Sequence, residues 1–382
     1  MTIMIGAVIH RSIEDVVYSS TENLGRLWGN SIIAEYDREL KDRYGFTGYY
    51  GNIQSVREKL ELYSDYSFKK KGYIKVGEIE CELEEFSLAE KDEIRKQIKH
   101  AMLSGWTPEK DKTIDCENEE VREESGNRYI SAPWILDALP SHSIKGGASG
   151  VGLSIDSAFE IEYIFKTFKD YVDKRELPKT YFDNEVEYII TGKPDDEKAK
   201  KGVYYKLLFE RNASNIIYLY SCKEKSEAAL VAAELLTPGP MAAITQGLIL
   251  ESWALLEARN DIELLYAGEK VPLLKGDANW AIDLDNVLEK EFETEERELD
   301  TGKKAPKYIK PERIEGLDYS GYLRTLLIAV PGETRILRTM DLIQINMKYT
   351  YCDYFLWEDY YTGLRFSIMV NGRKHEFTEI YK

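Results

Sequence analysis

Histidine and cysteine are scarce in this chain, and basic charge is outnumbered by acidic. The four cysteines, Cys81, Cys116, Cys222 and Cys352, lie far apart with no CxxC pair and no Cys/His cluster. That excludes zinc-finger, dithiol-redox and haem-attachment readings. A chain of 382 residues folds without crosslinks, so cysteine usage leaves the compartment open, and bridges among the four thiols remain open too. His10, His100, His142 and His375 do not pair at metal-ligand spacing. Long apolar runs are missing as well. Met1–Ile9 is apolar but too short to cross a bilayer, with no basic lead and no cleavage site. It reads either as the stub of a longer hydrophobic helix or as an ordinary buried helix start. The net charge of −17 disfavours wrapping a nucleic-acid backbone or lying flat on an anionic membrane. Internal repeats and low-complexity tracts are absent.

What is present is core material: 43% hydrophobic residues, including 27 tyrosines. This argues against disorder and is enough for one large domain or two to three ordinary ones. The first proline is Pro108, so nothing breaks an N-terminal helix. Ile13, Val17, Leu24, Leu27, Trp28, Ile32, Tyr36, Leu40 and Tyr44 recur at helical spacing up to a stop at Gly45. If residues 1–10 join it, the element approaches about 40 residues, or roughly 60 Å, which suggests a stalk or spine. Helices are expected over Ile53–Phe68, Glu90–Leu103, Ser154–Val172, Tyr319–Ala329 and Arg335–Met347; Val203–Tyr220 is read as helix through Leu207, Leu208, Arg211, Asn215 and Leu219, with a strand over Ile216–Tyr220 as the alternative. Ser226–Leu236, capped by Ser226, is expected to form an αα-hairpin with the helix that follows Pro238-Gly239-Pro240. Strands are expected over Tyr73–Leu88 with a bulge at Gly77, over Glu185–Thr191, briefly from Trp280 to Leu284, and over Cys352–Trp357. Leu364–Val370 and Glu376–Tyr381 flank Asn371-Gly372, a tight-hairpin signal. The charged stretches Thr107–Asn127 and Glu289–Lys310 read as solvated loops.

Motifs that carry chemistry are weak. Lys145–Gly152 (KGGASGVG) precedes a helix, where a phosphate cradle would sit, but it lacks the Lys-Ser/Thr of a P-loop and reads as a linker. Ser149 is not in a Gly-x-Ser-x-Gly setting, since position 151 is valine. A Ser/His/Asp triad would have to be assembled from isolated parts such as Ser141-His142, and His142, in a proline-flanked loop, reads as simply exposed. Ser67-x-x-Lys70 has the spacing of a serine acyl-enzyme without its companion motifs. Asp283-x-Asp285-Asn286 opens like a calcium loop but lacks the glycine and closing glutamate. The strongest apolar window, Gln246–Trp280, holds Glu251 and Glu257 among leucines and tryptophan. A buried glutamate can be a catalytic acid, but more often it pairs with an arginine, with Arg211 and Arg338 as candidates. Arg259 and Glu263 have the spacing of a surface ion pair. Glu257, Asp261 and Lys275 read as a pattern that locks helix, stop and extended segment into one scaffold.

Several segments together resemble a family of envelope proteins of Gram-positive anaerobes, a domain of unknown function often encoded beside Tad-type pilus components. They are Ala34–Leu40 with Tyr44-Gly45, Glu162-Tyr163-Ile164 with Phe168, Glu187–Ile190 with Gly192-Lys193, and Arg211 with Asn215. Trp253-Ala254, Glu257, Asp261, Leu265, Gly268, Val271-Pro272-Leu273, Lys275 and Trp280 follow. Tyr319, Tyr322-Leu323, Leu326-Leu327, Arg338 and Asp341–Gln344 complete the set. The resemblance implies a pseudopilin-like layout, one hydrophobic N-terminal helix with the rest outside the membrane. This sequence departs from that layout, starting with only nine apolar residues. The resemblance implies no catalytic residue, metal or cofactor.

The expectation is therefore an α+β fold: a long N-terminal helix (residues 1–50) packed on or projecting from a head, a small α+β region (51–150), and a main head (151–382) ending in a β-hairpin. The expected role is an extracytoplasmic structural protein of a pilus or related surface assembly, self-associating or meeting envelope partners through the N-terminal helix. Membrane contact is expected only there, and nucleic acid is not an expected partner. The competing expectations are a cell-envelope hydrolase, which needs two carboxylates facing one cleft, and a carbohydrate- or peptide-binding module, which needs a row of exposed aromatics.

Overall fold

The computed structural model describes residues 2–68, 72–108, 155–173, 175, 180–289 and 308–381. The fold is α+β. Among the described residues the first elements are α1 (Thr2–Ile33), α2 (Arg38–Tyr44), β1 (Tyr49–Tyr50), α3 (Ile53–Phe68), β2 (Val76–Glu82) and α4 (Lys91–Leu103). After α5 (Ile155–Thr167) come α6 (Glu185–Thr191), α7 (Asp196–Ser221), α8 (Lys223–Leu236), α9 (Ala242–Tyr266) and α10 (Leu284–Glu289). The chain closes with α11 (Tyr319–Ala329), α12 (Gly332–Thr350), β3 (Tyr360–Tyr361), β4 (Gly363–Val370) and β5 (Arg373–Ile380). The strands form two antiparallel sheets, β1-β3 and β2-β4-β5.

The three-stranded sheet joins the two ends of the chain. Ile79 pairs with Ile368 and Cys81 with Phe366, so residues 84–359, helical over most of their described part, are inserted between neighbouring strands. Because that pairing unites residues 76–82 with 363–370, one sheet draws on both sides of position 150. The register of β2 slips between Val76 and Ile79, as the phase change at Gly77 predicts. A side chain at Gly77 would sit 3.0 Å from Met369 Cβ, so glycine allows the strands their close approach there. Asn371 and Gly372 both have positive φ, 50° and 80°, which is what a two-residue hairpin requires.

The helix α1 lies along this sheet. Val17, Trp28, Ile32 and Ile33 bury against Phe366, Ile368 and Phe377 from the strands and Leu60 and Phe68 from α3. Gly25 and Gly29 give room for the approach: a Cβ on Gly25 would meet the Phe377 ring at 2.2 Å, and one on Gly29 would meet Glu379 at 2.6 Å. Contacts run from Tyr381, whose hydroxyl donates to the Ile33 carbonyl, to Arg373, 3.5 Å from Glu14. Beyond Glu14 the helix continues N-terminally for twelve residues, roughly 18 Å at 1.5 Å per residue.

Five expectations need correction. The long helix does not run to Tyr44. It ends at Ile33, and the chain restarts as α2 because Asp37 caps it, accepting from Leu40 N–H, while Asp37 N–H donates to Gly48. Gly45 does end α2, at φ 73°. Glu185–Thr191 is a helix, with all seven residues buried; a short apolar run has no periodicity to tell strand from helix. Cys352–Trp357 is irregular, and Trp280–Asp283 has no regular structure and leads into α10 at Leu284. The helix α8 starts at Lys223, and Ser226 accepts through its carbonyl and hydroxyl from Gln246 of α9, fastening the expected hairpin.

A central core holds α6 surrounded by residues of α2, α4, α5, α7, α9, α11 and α12. A third cluster, around Trp253 and Trp280, joins α7, α8 and α9.

Candidate functional site

A fully buried charge cluster lies where α7, α9 and the segment after α9 meet. Glu257 and Asp261 lie one turn apart on the inner face of α9, and Arg211 and Asn215 one turn apart on the inner face of α7. Gly268, at φ 81°, reverses the chain after α9, and the returning segment brings Lys275 between the two carboxylates. Lys275 Nζ donates to Glu257 Oε1 and Asp261 Oδ1, both at 2.6 Å, and to the Asn279 carbonyl at 2.8 Å. Arg211 Nε donates to Asp261 Oδ2 at 3.0 Å, and its Nη1 donates to the Leu273 carbonyl and the Tyr322 hydroxyl. Glu257 also accepts from the backbone N–H groups of Ala281 and Ile282.

The four charged side chains are essentially inaccessible to solvent. Two cations balance two carboxylates, and all three ammonium hydrogens of Lys275 have acceptors, as a buried charge requires. Burial pushes the Glu257 carboxyl up from its ordinary value, and Lys275 opposes the shift. For Arg211 burial works against the charge, but Asp261 and Tyr322 beside it outweigh that and raise its pKa. A lysine with every donor engaged and no solvent path is a poor nucleophile or base. The cluster fixes the 269–283 segment to two helices. Trp253 and Trp280 complete the fastening, both donating Nε1–H to the Ile282 carbonyl at 2.7 Å.

Sequence reasoning brings Glu257, Asp261 and Lys275 together correctly as a lock, but the expected arginine partner is wrong. Glu257 pairs with Lys275, Arg211 with Asp261, and Arg338 donates to the Ile189 carbonyl 2.7 Å away. Glu251 is exposed, and Asp283 and Asp285 are exposed at the start of α10. Among the described residues, no group of three or more His, Cys, Asp or Glu is arranged to hold a metal ion. Lys145–Gly152, Ser141, His142 and Lys70 lie outside the described residues. Cys81, Cys222 and Cys352 are free thiols, and burial pushes Cys81 and Cys352 up to about 11, where they are unreactive.

A second group of buried acids has no motif in the sequence: Glu185 and Glu187 lie on α6, expected as a strand, and Asp341 lies on α12. Glu185 accepts from Lys169 N–H and Asn346 Nδ2, and Glu187 Oε1 from Tyr171 N–H and the Tyr319 hydroxyl. Burial raises both to about 7. Asp341 accepts from the Tyr188 hydroxyl and is raised by burial to about 6. Glu187 Oε2, Asp341 Oδ1 and the Tyr266 hydroxyl are buried with no hydrogen-bond partner among the described residues. The signal for a helix here was punctuation: Asn184 before it, acids in its first turn and Gly192 after it at φ 72°. A cavity of about 20 Å³ beside Glu185, lined by Arg43, Tyr44, Phe168 and Asn346 among others, has room for a water molecule and is far smaller than a substrate pocket.

Fold and charge clusters together define an α+β protein whose buried ionic groups hold segments in place. Residues 88–372 match a family of unknown function, DUF5702, and the chain belongs to that family. No curated protein and no solved structure matches it.

Proposed function

We propose that this chain is an extracytoplasmic structural protein, a pseudopilin-like component of a Tad or type IV-like pilus or a related surface assembly. The observation that carries this reading is α1. Its C-terminal half is bedded on an antiparallel sheet through Gly25 and Gly29, and the helix extends twelve residues N-terminal to Glu14, which lies 3.5 Å from Arg373 next to the hairpin turn. A helix held rigidly at one end and extended at the other can pack against like helices or enter an apolar layer, presenting the acidic head outward. Among the described residues no helix is long and apolar enough to cross a membrane. The buried, charge-balanced Glu257–Lys275–Asp261–Arg211 cluster favours a scaffold over a hydrolase.

The test is fractionation of the native host expressing either the full chain or a form lacking residues 2–12. The shortened head is expected to fold, with an unchanged melting temperature, but to leave the sedimenting surface or membrane fraction. An unchanged distribution would remove the assembly role of α1.

A further inference from the structure

The outer face of α7 carries an apolar stripe that nothing described covers. Its inner face buries Val203, Leu207, Arg211, Asn215 and Leu219. On the opposite side Tyr205, Phe209, Ala213, Ile217 and Tyr220 follow one another at steps of four, four, four and three residues, and all are exposed. Tyr205 is 49% exposed, Phe209 60%, Ile217 69% and Tyr220 61%. The helix is thus apolar on both sides: the buried face mixes Val203, Leu207 and Leu219 with Arg211 and Asn215, and an apolar row about 22 Å long at 1.5 Å per residue stands where a surface helix ordinarily carries polar residues. At its C-terminal end the stripe continues onto α9. The Tyr220 hydroxyl lies 3.9 Å from where a Gly247 Cβ would be, and Ile244 and Leu248 beside Gly247 are exposed.

We propose that this face is a homodimer interface, occupied by α7 of a second copy running antiparallel and crossing at Ala213. Three observations select a second copy. The row reads nearly the same in both directions: Phe209 and Ile217 lie four residues either side of Ala213, and Tyr205 and Tyr220 lie eight and seven residues from it. An antiparallel crossing at Ala213 therefore sets Phe209 of each copy against Ile217 of the other, the i-to-j and j-to-i pairing of an isologous contact, and puts apolar side chains opposite apolar ones along the whole row. Ala213, the smallest side chain in the row, sits where two helix backbones must approach closest. The six large side chains, each with about half or more of its surface free, offer several hundred Å² per copy, the scale of the ~800 Å² per partner that a specific interface buries. The isoleucines and leucine among the aromatics fit a dry helix–helix contact better than a sugar, which stacks on bare rings.

The experiment is sedimentation equilibrium of the full chain across a wide concentration range, with Phe209→Glu and Ile217→Glu compared with wild type. Wild type is expected to dimerise, and each variant to weaken the dimer at least tenfold with an unchanged melting temperature, because both side chains are exposed. Ala213→Cys with a mild oxidant is expected to give a covalent dimer. Lys201→Cys, whose mate would be roughly 36 Å away across the axis at 1.5 Å per residue, is expected to behave like wild type. A wild-type monomer at all concentrations overturns the proposal. So does a dimer indifferent to both glutamates, or co-flotation of a monomer with zwitterionic vesicles that Phe209→Glu abolishes. This surface is independent of residues 2–12, so failure here and failure of the assembly role of α1 are told apart.

Discussion

At the scale of single residues, the informative side chain is Lys275. Its ammonium is the only bond between Glu257 and the cations of the lock, since Arg211 reaches Asp261 alone. Lys275→Met keeps the volume of the stem and leaves two buried carboxylates with one guanidinium. The expected loss is about 3–5 kcal/mol, the usual consequence of stranding a buried charge. Adding Glu257→Gln should recover part of that loss, because the stranded charge is then gone. Urea unfolding of the two variants checks both, and a loss under about 1 kcal/mol for Lys275→Met alone would mean the ammonium is dispensable. Trp253→Ala is likewise expected to cost about 3–5 kcal/mol by the same assay, since it opens a cavity in the α7–α9 core. These residues were legible in the sequence as one group, because they share the strongest apolar window. Their pairing was not legible, since a choice between lysine and arginine as partner depends on where a loop returns.

At the scale of elements, local punctuation carried the successful expectations. Ile53–Phe68 and Tyr319–Ala329 appear with the boundaries expected, and Gly45, Gly77 and Asn371-Gly372 act at the positions their chemistry suggests. The failures came where burial overrides pattern. The helix α6 is buried on every side, so it shows no amphipathic period, and the break after Ile33 depends on Asp37 and on pairing with Gly48 far round the turn. The seating of α1 on the sheet can be tested through two glycines expected to respond with opposite signs. Gly25→Ala places a methyl 2.2 Å from the Phe377 ring, and overpacking of this kind costs about 1–3 kcal/mol, more than the helix gains from alanine. Gly247→Ala, in the interior of α9 with its nearest neighbour at 3.9 Å, should stabilise by about 0.5–1 kcal/mol. A Gly25→Ala variant as stable as wild type or more so in urea would show that α1 does not rest on Phe377 as described.

At the scale of the whole molecule, the balance of acids predicts how stability follows pH. Glu185 and Glu187 titrate near 7 in the folded chain and Asp341 near 6, each raised by burial above the ordinary value of 4.5 or 3.8. The folded state therefore binds more protons than the unfolded one between about pH 4 and 7, so stability falls as pH rises through that window and levels off above it. The surface acts in the same direction, because a net charge of −17 repels itself less as acids protonate. The opposite contribution comes from partnered surface carboxylates such as Glu333, lowered by hydrogen bonds from Lys91 and Arg95, whose stabilisation is lost only as pH falls below the ordinary carboxylate range. The melting temperature is thus expected to rise from pH 8 to a maximum near pH 5 and to drop below about pH 4. Glu187→Gln separates the interior from the surface. It keeps an acceptor for Tyr171 N–H and the Tyr319 hydroxyl and removes the buried charge, so it should raise the melting temperature at pH 8 and flatten the slope between pH 5 and 7. Thermal melts of both proteins at constant ionic strength would decide the matter, and a wild-type melting temperature that stays level or falls between pH 8 and 6 would show that these acids are not held protonated by the fold.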